Sequence, residues 1–318
     1  VLRQTVSVII PTYNSGSFVT AAVESALGQS VQPFEIIVID DGSTDATSHV
    51  LKPYMGSIRY YQQPNAGLSA ARNRGIAAAM GDLIAFLDAD DIWLPNKLAL
   101  QMETLEKHPE AALVHSDVYF WDNETGERAI RNKMRHGYTG RCYHQFFRRN
   151  AVCPSTVLVR RECLDRIGGF DEQIRRPTTQ DYDLWWRIAR RYDLAYLDRP
   201  TVLYRLHSGN ASKQTLMMVE DELYVVLKAL SEDSQLAQSL GFRETNDRLF
   251  GLYFSIGYIN FDEGRFPTAR RSLLSAIRRR PTDTYTWLLT ASTLLPPAWV
   301  RALRNMKQSA LFCLDPMT

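Results

Sequence analysis

The chain is poor in cysteine, in long apolar runs and in net charge, and each shortage removes a class of protein. Its four cysteines, Cys142, Cys153, Cys163 and Cys313, form no Cys-x-x-Cys pair and no metal-type spacing. Neither a zinc module nor a disulfide scaffold is expected; reduced thiols in a cytoplasmic protein are. No apolar run reaches the ~18 residues of a spanning helix. The nearest, 287–300, is short and contains Pro296-Pro297. Basic residues number 37 against 35 acidic, a formal net charge of +2, which excludes the one-signed field of a general nucleic-acid binder. There is no Gly-x-x-x-x-Gly-Lys-Ser/Thr loop, which disfavours a P-loop fold. No signal peptide is expected from the residues that follow Val1.

What is present is an ordinary apolar content, 45% over 318 residues, enough for one large domain and an appendage. Strands are predicted at 6–10 (stopped by Pro11), 35–39, 58–62, 83–87, 112–120, 156–160 and 202–205. Helices are predicted at 18–29, 46–54, 68–80, 97–107 and 182–191. Alternation of this kind predicts a three-layer α/β domain with a mostly parallel sheet. After a polar linker at 208–213 the pattern turns helical from Thr215. A helix pair is predicted over 249–276, turning at Gly264-Arg265; it is similar to a single tetratricopeptide-type hairpin, and one such unit cannot bury its own face. The boundaries are therefore 1–214 for the α/β domain and 215–318 for a helical C-terminal extension.

Two acidic clusters follow apolar runs: Asp40-Asp41-Gly42-Ser43 after Ile36–Ile39, and Asp88-Ala89-Asp90-Asp91 after Leu83–Leu87. Buried parallel strands present their carboxyl ends to ligands. Like charges gathered there call for a cation or a hydrogen-bonding ligand between them. The pattern points to a metal-assisted enzyme acting on a phosphorylated substrate.

Seven segments in order extend that reading: 8–14 (Val-Ile-Ile-Pro-Thr-Tyr-Asn), 39–45 (Ile-Asp-Asp-Gly-Ser-Thr-Asp), 65–73 (Asn-Ala-Gly-Leu-Ser-Ala-Ala-Arg-Asn), 86–91 (Phe-Leu-Asp-Ala-Asp-Asp), 168–172 (Gly-Gly-Phe-Asp-Glu), 180–181 (Gln-Asp) and 204–207 (Tyr-Arg-Leu-His). Together, over residues 5–212, they resemble the family 2 glycosyltransferases with the GT-A (Rossmann-like) fold. The resemblance implies a nucleotide-sugar site that includes Pro11, Thr12, Tyr13, Asp41, Gly67, Arg72, Asp88 and Ala89. Asp41 would accept from the base, either uracil N3–H or guanine N1–H, since an ionised Asp only accepts. Tyr13 would border or stack on the base. Arg72 and the start of its helix would meet the diphosphate. Asp90 and His207 would hold Mn²⁺ or Mg²⁺, with Asp88 on the metal or the ribose.

By the same resemblance Asp181 is the catalytic base, with Asp183 as its nearest rival. Gln180 stands where the family more often has Glu. Trp185 and Trp186 read as core before sugar platforms. One base opposite the leaving group implies an inverting transfer from a nucleoside-diphosphate sugar, UDP-sugar favoured, to an acceptor hydroxyl in polysaccharide or glycoconjugate biosynthesis. The loop at 132–140 is expected to close over the donor. A glycan or lipid-linked acceptor is implied. Trp287, Leu288, Leu289, Leu294, Leu295 and Trp299, with Arg301, Arg304 and Lys307, have the composition of an interfacial helix at the inner membrane face; a packed core helix with a basic edge stays open beside it. Two rival classes also stay open: a metal-dependent nucleotidyltransferase or phosphatase, and a non-catalytic protein that binds sugar nucleotides or glycans.

Overall fold

A computed structural model describes residues 4–122, 125–130, 137–174, 179–207 and 215–296. The chain divides into two compact units, 1–213 and 214–318.

The first unit is built on one nine-stranded sheet. Its strands are β1 (Val6–Thr12), β2 (Glu35–Asp40), β3 (Arg59–Gln62), β4 (Leu83–Phe86), β5 (Ile92–Trp93), β6 (Ala111–Asp122), β7 (Arg128–Ile130), β8 (Leu158–Arg160) and β9 (Asp193–Leu206). The spatial order is β3-β2-β1-β4-β8-β6-β9-β5, with β7 paired on β6. The strands β3, β2, β1 and β4 run parallel. Beyond them β8 is antiparallel to both β4 and β6, β6 and β9 run parallel, and β5 is antiparallel to β9. The sheet is thus parallel where the acidic clusters arise and mixed elsewhere. All of β1 and β4, and all of β2 after Glu35, are buried, as expected of parallel strands covered on both faces.

Helices α1 (Val19–Leu27), α2 (Thr47–Val50), α3 (Leu68–Ala78), α4 (Lys97–Lys107), α5 (Tyr143–Arg148), α6 (Arg161–Ile167) and α7 (Gln180–Ala189) complete this unit. Helix α1 buries Val19, Ala22, Val23 and Ala26, one face at helical spacing. Helix α3 lies unusually close to the sheet: a Cβ on Gly75 would sit 2.4 Å from Ile9 Cγ2. That approach fixes the depth at which α3 carries Arg72.

Several elements depart from the expected spans. Pro11 does not stop β1, which pairs as far as Thr12 opposite Asp40. The Ile9 carbonyl accepts from Leu87 N at the end of β4. Pro11, two residues on, turns its missing N–H to the same side, where β4 has already ended. The helix expected at 46–54 breaks into α2 and a single 3₁₀ turn, Lys52–Tyr54, because Pro53 cannot continue the α-helical ladder. Strand β9 is 14 residues long, far beyond 202–205. Its charges and Pro200 disguise it in the sequence, and Pro200 sits at the irregularity in register opposite Asp117.

The second unit contains α8 (Thr215–Glu232), α9 (Leu236–Leu240), α10 (Phe242–Asp262), α11 (Phe266–Arg279) and α12 (Thr284–Ser292). Helices α10 and α11 form the expected pair, turning at Gly264, whose φ of 77° is in the left-handed region. Gly257 permits their contact: a Cβ there would meet Leu273 at 2.7 Å. Ala269, Leu273 and Leu289 are buried together with Phe261. No helix among the described residues is long and apolar enough to cross a membrane. The linker at 208–213, most of the 132–140 loop, Cys313 and the segment with Trp299, Arg301, Arg304 and Lys307 lie outside the described residues.

Candidate active site

The carboxyl ends of β1, β2 and β4 bring most of the nominated residues of the first unit to one edge. Asp41 donates its backbone N–H to the Thr12 carbonyl at 2.9 Å, locking the ends of β1 and β2 together. Its carboxylate builds the next loop. Oδ1 accepts from Gln63 Nε2 (2.7 Å) and Ala66 N (2.9 Å), and Oδ2 accepts from Gly67 N (2.8 Å). A carboxylate has about four acceptor positions, so Oδ2 retains capacity for one more donor. Gly67 adopts φ 93°, ψ 162°, a conformation essentially confined to glycine; this turns its N–H onto Asp41 as α3 begins.

Tyr13 is half exposed beside this loop, whereas Pro11, Thr12 and Ala89 are buried. Buried in this way, Pro11 and Ala89 shape the backbone and do not present their side chains to the surface. Thr12 Oγ1 has no hydrogen-bond partner among the described residues. Asp40, the neighbour of Asp41, is structural: Oδ1 accepts from Ser43 N and Oδ2 from the Tyr60 hydroxyl.

The turn after β4 carries three carboxylates that point to three different partners. Asp88 Oδ1 accepts from Arg72 Nη2 at 2.6 Å. Asp90 Oδ2 lies 3.0 Å from His207 Nε2. Asp91 is buried and accepts from Ser155 Oγ at 2.6 Å and from Arg205 N at 3.3 Å. Burial raises the pKa of Asp90, with Asp88 adding to the rise and His207 opposing it. Burial likewise pushes Asp91 well above the carboxylate range, reinforced by Asp90 and Asp88. Ser155, itself fully buried, also accepts from Asp88 N at 3.1 Å, so one hydroxyl ties both ends of the turn.

Arg72 is 1% exposed and lies over the Phe170 ring, 5.1 Å from its centroid. Its Nε and Nη1 have no hydrogen-bond partner among the described residues. The structure places it on Asp88, deep behind the turn, and not at the surface of the loop.

Asp181, in the first turn of α7, is buried and accepts from Asn150 Nδ2 at 3.0 Å. Burial pushes its pKa up to about 6; Asp88 adds to this, while Arg72, Asn150 and the Tyr182 backbone N–H oppose it. A carboxylate poised near neutrality is suited to taking a proton. Asp183, its rival, is committed to Arg187 at 2.8 Å. Trp185 and Trp186 are buried in the core, Trp185 packing against Phe86 and Phe170. Gln180 is also buried, and its Oε1 has no partner among the described residues.

The donor set suits a hard divalent cation only in part. Among the described residues no three His, Cys, Asp or Glu side chains converge as a complete metal site. Asp90 and His207 do converge, and burial, with Asp88 adding to it, holds the Asp90 pKa up. One or two protein ligands completed by phosphate oxygens is the ordinary arrangement for Mg²⁺, so the residues fit a cation that arrives with a diphosphate.

The family model described as Glycosyl transferase family 2 matches residues 7–168, about half of the chain. An uncharacterized glycosyltransferase of Nostoc sp. is 36% identical over 263 residues, covering 80% of this chain and 77% of that protein. This chain belongs to glycosyltransferase family 2. Another family relative, an uncharacterized glycosyltransferase of Rickettsia felis, is 32% identical over 220 residues, 66% of this chain. The match spans only 35% of that relative's length. Among solved structures, the mannosyltransferase PcManGT from Pyrobaculum calidifontis, in complex with GDP-Man and Mn²⁺, aligns with a TM-score of 0.61 at 17% identity, covering 97% of this chain and 86% of that one. S. aureus TarS 1–349 in complex with UDP-GlcNAc aligns at 0.55 and 16% identity, over 96% and 92%. Both establish the GT-A type of fold for this family 2 chain.

Motif text led to Asp41, Asp88, Asp90, Asp181 and His207. Asn150 and Ser155 carried no signal, since each lies between recognisable segments and acquires meaning only through a contact distant in sequence. Phe170 and Arg205 stood inside matched segments. Arg205 bonds the Asp90 carbonyl through Nε at 3.0 Å and packs over Trp121.

Proposed function

We propose that this chain transfers a sugar from a nucleoside-diphosphate sugar to an acceptor hydroxyl with inversion at the anomeric carbon. The carrying observation is the buried Asp181 carboxylate, raised toward neutral pH and coupled electrostatically to Arg72 and Asp88. Proton removal and diphosphate departure would then share one buried charge network. Asp181 takes the acceptor proton as the new bond forms, an effect worth typically ~10²–10⁴-fold. Asp41 receives the base N–H at its remaining acceptor position, and the exposed Tyr13 ring flanks the base. Arg72 holds Asp88 toward the ribose and offers its unpartnered Nε and Nη1 to the diphosphate. Asp90 and His207 would hold Mn²⁺ or Mg²⁺, which supplies neutralisation of the charge on the leaving diphosphate.

A UDP-sugar is the favoured donor; an aspartate acceptor suits uracil, and the structurally similar TarS was solved with UDP-GlcNAc. GDP-Man in the Pyrobaculum structure makes guanine the alternative to test. We assign residues 1–214 to catalysis in polysaccharide or glycoconjugate biosynthesis, and 215–318 to contact with a glycan or lipid-linked acceptor. Helix α12 and its end expose Trp287, Leu288 and Leu294, which supports peripheral contact at the cytoplasmic face of a membrane. Flotation with anionic vesicles tests this, and no binding by the full-length chain refutes it.

The central test is nucleoside-diphosphate release from a panel of sugar nucleotides with acceptor glycans, with Mn²⁺, Mg²⁺ or EDTA, for wild type and Asp181→Asn. Metal-dependent release from one donor that collapses in the variant supports transfer. Binding of a sugar nucleotide without release supports the scaffold reading. Release of pyrophosphate from a nucleoside triphosphate and a sugar phosphate supports a nucleotidyltransferase.

A further inference from the structure

The carboxylate assigned as base is held by a residue that no motif nominates. Asn150 lies two residues past α5, and its amide is committed at both ends. Oδ1 accepts from Val152 N at 3.0 Å, so the NH₂ end is the one that meets Asp181 Oδ2, also at 3.0 Å. The backbone beneath is fixed as well. The single proton of the Tyr138 hydroxyl is shared between the carbonyls of Gln145 (3.1 Å) and Arg149 (2.9 Å). The hydroxyl of Tyr182, the residue after Asp181, donates to the Phe146 carbonyl. Phe146 stacks on Tyr182, and Tyr182 on Trp186. Helix α5 and the first turn of α7 are thereby bound into one aromatic block, with Asn150 and Asp181 facing each other across it.

Resting on the reading of Asp181 as base, we propose that Asn150 is a positioning residue of the transfer reaction: its amide fixes the rotation of the Asp181 carboxylate and favours its ionised form. An amide N–H donates to a carboxylate more strongly than to a carboxyl. The other groups acting on Asp181 are Arg72 from α3 and the Tyr182 backbone N–H of α7 itself, which also favour the anion, and Asp88 from the turn after β4, which opposes it. Without Asn150 the carboxylate rotates in its pocket and protonates at higher pH.

The test uses the full chain and two variants, Asn150→Ala and the isosteric Asn150→Asp. Carboxylate ¹³C NMR follows Asp181 directly, its resonance identified by its loss in Asp181→Asn, and needs neither donor nor acceptor. We expect Asn150→Ala to raise the Asp181 midpoint by about one pH unit, and Asn150→Asp to raise it further through a second carboxylate at hydrogen-bond distance. In the release assay, kcat near pH 6 falls about fivefold in Asn150→Ala and largely recovers by pH 8.5, with KM for the donor unchanged. An unchanged Asp181 midpoint in both variants, or a loss of kcat equal at every pH, overturns the proposal. Full activity of Asp181→Asn instead overturns the assignment of the base, whatever the NMR shows.

Discussion

Asp181→Asn separates the chemistry of this carboxylate from its effect on the fold. The side chain is 7% exposed, and its pKa is pushed from the usual 3.8 up to about 6. That rise corresponds to about 3 kcal/mol. The sign follows from proton binding. Between about pH 4 and 6 the folded protein retains a proton that the unfolded chain has released, so stability falls as pH rises through this window. Above it the whole penalty of the ionised group is present. Asparagine mimics the protonated acid in shape and carries no charge. The variant should therefore exceed the wild type by roughly 2–3 kcal/mol at pH 8 and match it near pH 3.5. For a unit of this size each kcal/mol is worth ~2–4 °C in Tm. Urea unfolding at pH 3.5, 6 and 8 measures the difference, read by tryptophan fluorescence because Trp185 is in the same buried cluster. The same variant should lose transfer by ~10²–10⁴-fold. A stability difference that stays constant with pH, or a wild type more stable at pH 8, would refute the reasoning that an ionised Asp181 is held in place at the expense of the fold.

Other perturbations act on different links of the site. Gly75→Ala should destabilise by ~1–3 kcal/mol, because its methyl overlaps Ile9 under α3; an unchanged thermal midpoint would show that α3 can move away. Ser155→Ala strips Asp91 of a donor and Asp88 N of an acceptor, which should lower stability by ~1–3 kcal/mol and weaken sugar-nucleotide binding in calorimetry. Asp90→Asn and His207→Ala should each reduce Mn²⁺-dependent nucleotide affinity by more than the ~10–100-fold typical of an outer-shell change. Binding that is insensitive to both, or to EDTA, would remove the cation from the reading.

The sequence by itself determined the family, the alternation of strands and helices in the first unit, and the residue types at the site. Buried parallel strands must be apolar throughout and must end in turns, so 36–39 and 83–87 announce both themselves and the carboxylates that follow them. Local chemistry of this kind is legible because it is written in consecutive residues. The helix pair turning at Gly264 was legible for the same reason. Tertiary structure alone decided the rest. The mixed half of the sheet depends on pairings such as β4 with β8, across more than 70 residues, which no local pattern encodes. The length of β9 depends on a register shift that accommodates Pro200. Arg72 is expected from the resemblance at the diphosphate, yet the close approach of Gly75 to Ile9 sinks its helix until the guanidinium meets Asp88. Asn150 and Ser155 are ordinary polar residues until folding sets them within 3.1 Å of the acidic groups they hold. Burial, which turns a common aspartate into one that titrates near pH 6, is a property of the whole packed unit and of no single stretch of chain.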